Sequence, residues 1–153
     1  MATGDPEQSL ALLAPAHDHY RTSGNNQALA NTLNIIGRGY ELLGRYDEAR
    51  ATLRQSLELK RRQGAPVAIA SALSNLGLLL HRCGEDEEAQ NLFQEALALY
   101  EALDNEGEIA STLSNLGLVA LGCGDYQQAR RYLERALPIQ QKVGHQQRGH
   151  HLQ

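Results

Sequence analysis

The chain has 153 residues and a formal net charge of −4, a balance that argues against nucleic-acid binding, which needs a cationic face to neutralise phosphates. Leu and Ala dominate its 42% hydrophobic content, Trp is absent and there is a single Phe, so helix is favoured over strand. No run approaches the ~18 apolar residues of a membrane span, and MATGDPEQSL has neither the positive leader nor the apolar run of a signal peptide, so a cytoplasmic protein without membrane contact is expected.

Taken in order, residues 1–4 are a short polar lead. Asp5 is placed to cap a helix over Pro6–Ser23, with Pro6 at the first position where a missing N–H does no harm. Pro15 lies inside that helix and is expected to kink it. Gly24, Asn25 and Asn26 form a turn. A helix follows over about 26–43, a turn at Gly44-Arg45, and a second helix over about 46–63 with Asp47 and Glu48 at its start and Lys60, Arg61 and Arg62 at its end. That charge order suits the helix dipole. Gly64 ends it, and Pro66 opens the next helix, to about 83.

Further helices are expected over about 86–103, 106–123 and 126–143. Glu85 to Glu88 crowd the start of one of them. Successive carboxylates splay around a helix and do not converge on a metal, so dipole complementarity explains them. Pro138 should bend the last helix or weaken its final turns, and the polar tail from Gly144 should fray. Within the helices the apolar spacing fits one buried stripe: Ile69, Leu73, Leu76 and Leu80, then Ala89, Phe93, Ala96 and Leu97.

The elements repeat at a fixed interval of forty residues. Gly37, Gly77 and Gly117 keep it, as do Gly44, Gly84 and Gly124, Ala49, Ala89 and Ala129, and Leu53, Phe93 and Leu133. Ser9, Leu13 and Ala16 fall one interval before Ala49, Leu53 and Ser56, so the chain begins on a second helix. An interval of this size is the mark of a helical solenoid. One array over 1–153 is expected: an orphan second helix at 5–23, repeats at 24–63, 64–103 and 104–143, and the tail 144–153. Cys83 and Cys123 hold equivalent places about one packing layer apart, roughly 8–10 Å, beyond disulfide reach, so two free thiols are expected.

These residues resemble the tetratricopeptide repeat pattern W-x2-L-G-x2-Y followed by A-x3-F. Its first half reads Leu33, Ile36, Gly37, Tyr40, then Leu73, Leu76, Gly77, Leu80, then Leu113, Leu116, Gly117, Ala120. Its second half reads Ala49 with Leu53, Ala89 with Phe93, and Ala129 with Leu133, with small Ser56, Ala96 and Ala136 beyond. The Trp position is Leu throughout, the trailing Pro is missing, and the interval exceeds the usual one, so the helices are longer. In this the chain is similar to kinesin light chains, LGN-type scaffolds and the sensor arms of bacterial signalling NTPases. The resemblance implies an all-α fold, a right-handed superhelical α-solenoid of antiparallel helix pairs. Gly37, Gly77 and Gly117 are expected to face Ala49, Ala89 and Ala129, where a large side chain would pry the hairpin open.

The resemblance also implies a concave groove lined by first helices, formed by Asn31, Asn34, Arg38 and Glu41, by Ser71, Ser74, Asn75, Leu78, His81 and Arg82, and by Ser111, Ser114, Asn115, Leu118 and Leu121. The peptide-binding set expected within it is Asn34, Arg38, Ser74, Asn75, Leu78, Arg82, Ser114, Asn115 and Leu118. Asn75 and Asn115 match the place where long-helix members grip a ligand backbone. A side-chain amide offers a peptide bond both donor and acceptor. The basic clamp that some members use for a C-terminal carboxylate is not evident; Arg38 and Arg82 are the only candidates.

No catalytic motif is present, and no enzyme, cofactor or metal is expected. His17 and His19 lie two apart and point away from each other, while His81 and Glu85 read as a surface pair across a turn. The expected function is a protein-interaction scaffold for a protein or peptide ligand. The alternatives are a structural unit that self-associates as a homodimer through uncapped ends, with Leu133 and Leu137 uncovered, and the arm of a larger signalling protein.

Overall fold

Helix formers fill the chain between punctuating residues spaced twenty apart, and that spacing sets the architecture. The computed structural model describes residues 6–151; the polar lead and the cap expected at Asp5 lie outside it. Among the described residues there are seven α-helices and no strand. They are α1 (Pro6–Ser23), α2 (Asn26–Leu42), α3 (Tyr46–Gln63), α4 (Pro66–Arg82), α5 (Asp86–Ala102), α6 (Glu106–Gly122) and α7 (Tyr126–His151).

The turns are made by a left-handed residue at each interval: Gly24, Gly44, Gly64, Gly84 and Gly124 have φ between 74° and 79°, and Asp104 stands in the same series at 54°. After α2 the Gly44 N–H returns to the Glu41 carbonyl at 3.0 Å and the Arg45 N–H to Tyr40 at 2.9 Å. Glu85 to Leu80, Asn105 to Tyr100 and Asp125 to Ala120 repeat the second bond. Each closes a helix end by capturing a carbonyl that has no partner further along the helix. The starts are capped less evenly. Asn25, Asn105 and Asp125 accept from the N–H three residues on, whereas Arg45 and Glu85 make no side-chain cap bond.

The residues divide into two compact units, one up to Leu79 and one from Leu80, so the division falls inside α4. In the first unit α2 packs on α1 and on α3. Its buried residues include Ala30, Leu33, Ala49, Leu53, Leu57, Leu73 and Leu76, and the buried Ser56 hydroxyl donates to the Ala30 carbonyl at 2.8 Å. α1 contributes no buried residue. In the second unit α6 packs on α5 and α7 around Phe93, Ala96, Leu113, Leu116, Val119 and Ala136.

Two expectations change here. Gly37 and Gly117 lie closer to leucine than to alanine: a Cβ on Gly37 would stand 2.7 Å from Leu53 Cδ2 and, at 3.5 Å, in ordinary contact with the carbonyl oxygen of the expected Ala49, and one on Gly117 would stand 2.8 Å from Leu133 Cδ2. A helical side chain leans toward the N-terminus and covers the turn before its own Cα, so Leu53 lies over the ground of Ala49. The last helix, moreover, does not end near 143; α7 runs on to His151 with Pro138 inside it. Gly144 is not among the left-handed glycines. Pro138 is exposed, so water can take the Glu134 carbonyl that the missing N–H releases. Pro15 likewise remains inside α1.

Candidate functional site

On α2, α4 and α6 the helical spacing raises one stripe that the core does not use. In the first unit it runs through Asn31, Asn34, Ile35 and Arg38 of α2 and Ser71, Ser74, Asn75 and Leu78 of α4. Asn34, Ser74 and Asn75 are half-buried, and Asn31, Arg38 and Ser71 are exposed. Ile35 and Leu78, which a core would claim, are 53% and 40% exposed. Leu73, Leu76 and Leu79 hold the opposite face of α4 in the core.

The structure joins two of the expected residues directly: Asn75 Nδ2 donates to Asn34 Oδ1 at 3.1 Å, across 41 positions of sequence. A carboxamide has two N–H donors and an oxygen with two lone pairs, so this bond uses only part of either group and fixes how each is presented. Arg38 stands on α2 outside the pair.

In the second unit the stripe is Ser111, Ser114, Asn115, Leu118 and Leu121 of α6. Leu118 is 53% exposed and Leu121 43%. Ser114 Oγ accepts from Gln140 Nε2 of α7 at 3.0 Å, and Lys142 Nζ reaches Glu106 Oε1 at 2.9 Å. Asn115 borders an open cavity of about 350 Å³ together with Ser111, Ser114, Gln140 and Val143. The part played by Gln140 and Val143 is absent from a list built on first helices; the available signal was that Gln140 stands in register with Lys60 and Tyr100. Arg82, at the end of α4, is exposed and interacts within the protein.

His81 is paired with Asp86: Nδ1 and Oδ1 are 2.6 Å apart, and the Asp86 side chain is largely covered. Asp86 also lies directly over Gly122, where a Cβ would collide with its carboxylate. Cys83 and Cys123 are both free thiols. Desolvation, followed by the charges of Asp86, Glu87 and Asp125, pushes the Cys123 thiol above its ordinary range. Among the described residues no three His, Cys, Asp or Glu side chains converge to hold a metal, and no helix is long and apolar enough to cross a membrane.

No curated protein sequence matches the chain. Solved structures match its fold. BtubC (BKLC) from P. vanneervenii has a TM-score of 0.86 and 23% sequence identity, covering 92% of this chain and 59% of that one. A kinesin-light-chain-type protein of Podosopora anserina with nearly identical TPR-like repeats gives 0.82 and 17%, covering 92% and 69%. The Rap conjugation gene regulator of plasmid pLS20, solved in complex with the Phr* peptide, gives 0.72 and 25%, covering 92% and 39%. This chain therefore spans about three fifths of the first of these proteins and two fifths of the last. The tetratricopeptide repeat family model matches residues 1–62 and 68–142. With that match, the forty-residue interval and helix pairs closed by left-handed turns, the chain belongs to the tetratricopeptide repeat family and has the fold of its helical solenoids.

Proposed function

We propose that the chain is a protein-interaction scaffold whose first-helix stripe binds an extended peptide or a helix. The contacts are Asn34, Arg38, Ser74, Asn75 and Leu78 in the first unit, and Arg82, Ser114, Asn115 and Leu118 in the second. The observation that carries this reading is the recurrence, at one interval, of a half-buried carboxamide three residues before an exposed leucine: Asn75 with Leu78, and Asn115 with Leu118. The amide grips peptide backbone without regard to sequence, and the leucine adds apolar contact. The pLS20 Rap regulator, a structural relative, was solved with a peptide bound. The free thiols favour a reducing compartment such as the cytoplasm.

The test is a displayed peptide library selected on the wild-type chain. Selected peptides should bind the Asn75→Ala/Asn115→Ala variant at least tenfold more weakly, with circular dichroism unchanged and melting lowered only by the few degrees that losing the Asn34–Asn75 bond, about 1 kcal/mol, accounts for. Equal affinity for both proteins would remove the stripe from the account.

A second reading, self-association, rests on α7. Leu133 and Leu137 are 41% and 54% exposed, although their counterparts Leu53, Phe93, Leu57 and Leu97 are all buried. Light scattering over a dilution series separates the two readings, since a monomer at every concentration excludes this one. The partial coverage of the solved relatives fits a third, the arm of a larger signalling protein.

A further inference from the structure

The outer face of α7 carries one line of residues that the core does not use. Tyr126, Leu133, Leu137 and Gly144 lie at i, i+7, i+11 and i+18, and eighteen residues make five full helical turns. Tyr126 is 71% exposed, beside the two exposed leucines. Elsewhere in the second unit α6 packs on α5, where Phe93 and Leu97 are buried; Leu133 and Leu137 have no such cover.

Gly144 is the unusual member. A glycine inside a helix costs about 1 kcal/mol relative to alanine. Other helical glycines here have a reason: a Cβ on Gly37, Gly39 or Gly117 would meet a leucine side chain at 3.0 Å or less. A Cβ on Gly144 would meet nothing within 4 Å, so nothing among the described residues calls for a glycine there. Gly144 also borders the open cavity of about 350 Å³, together with Gln140 and Val143. A bare helix position beside open space lets another body come close.

The line is complementary to itself when reversed. Turned end for end at the level of Arg135, it sets Leu133 against Leu137, and Tyr126, its largest member, against Gly144, its smallest. Arg130 then comes level with the exposed amide of Gln141 on the same flank. The Glu134 carboxylates near the centre each keep their own Arg130, at 2.8 Å. Run in the same direction instead, two such lines stack Tyr126 on Tyr126 and Arg130 on Arg130, and leave a gap at Gly144.

We propose that α7 pairs antiparallel with α7 of a second copy of this chain, about a two-fold axis at the level of Arg135, the Tyr126 ring of each copy seated against Gly144 of the other. This rests on the self-association reading and adds its face, direction and register. The interface is small, so the dimer is weak and dissociates on dilution.

The test is sedimentation equilibrium of the full chain from micromolar to millimolar concentration, which should show monomer passing into dimer. Leu137→Glu should weaken the dimer at least tenfold. Tyr126→Gly alone and Gly144→Tyr alone should each weaken it by a similar factor. Both in one chain exchange the ring and the space, and should return the affinity close to that of the wild type, with circular dichroism unchanged throughout. A monomer at every concentration would overturn the proposal and the self-association reading together. A dimer that Leu137→Glu leaves intact would move the contact off α7 and overturn the proposal. A dimer broken by Leu137→Glu but not restored by the exchange would overturn the register and leave self-association through α7 standing.

Discussion

Gly37 and Gly117 hold the same place in two helix pairs, but their neighbours differ in freedom. Leu53, against Gly37, is 2% exposed and has nowhere to go; Leu133, against Gly117, is 41% exposed and can swing outward. Alanine in a helix gains about 1 kcal/mol over glycine, while forced overpacking costs about 1–3 kcal/mol. Gly37→Ala should therefore destabilise by up to about 2 kcal/mol and Gly117→Ala should be neutral or stabilising, read by urea denaturation. Equal effects would mean that the tolerance of Leu133 has been misjudged.

Lys60 is a local conflict of another kind. It stands in register with Tyr100, both are buried, and burial holds the Lys60 ammonium below its usual 10.5. The unfolded chain thus binds this proton more tightly than the folded one. The cost to stability is complete below the lowered folded value and is relieved as pH rises from there toward 10.5. Lys60→Met should stabilise the protein at neutral pH by about 1 kcal/mol. That advantage should shrink in alkaline solution; a pH-independent difference would place the ammonium in water.

At the scale of the element, the helix boundaries were legible because the backbone demands a left-handed residue at each turn, and glycine supplies it at twenty-residue spacing. Asp104 is the exception, with φ of 54° where the others have glycine. A side chain tolerates that conformation at a cost of roughly 1–2 kcal/mol, less for aspartate than for most residues. Asp104→Gly should accordingly raise stability by about 0.5–1 kcal/mol, even after the added freedom of the unfolded chain is counted. An unchanged denaturation midpoint would show that the Asp104 side chain repays its strain locally. The continuation of α7 was not legible, because Gly144 looks like its counterparts Gly64 and Gly124 and nothing in its composition records that it stays helical.

For the whole molecule, the forty-residue interval carried the fold: a pattern repeated in register survives substitution at any one position, so losing the Trp and the trailing Pro did not hide it. The stripe was legible for the same reason, since Ser74, Asn75 and Leu78 recur as Ser114, Asn115 and Leu118. What could not be read were contacts that depend on how far apart two helices lie. The Asn34–Asn75 bond spans 41 residues and the Ser114–Gln140 bond 26, with no sequence signature for either.

The two faces left apolar and open, the stripe on the first helices and the outer side of α7, make opposite demands on a bound peptide. A photo-reactive phenylalanine analogue placed in turn at Leu78, Leu118 and Leu133 separates them. A selected peptide should cross-link at positions 78 and 118 and leave 133 unmodified; adducts at 133 alone would contradict the central claim and move the binding surface to α7.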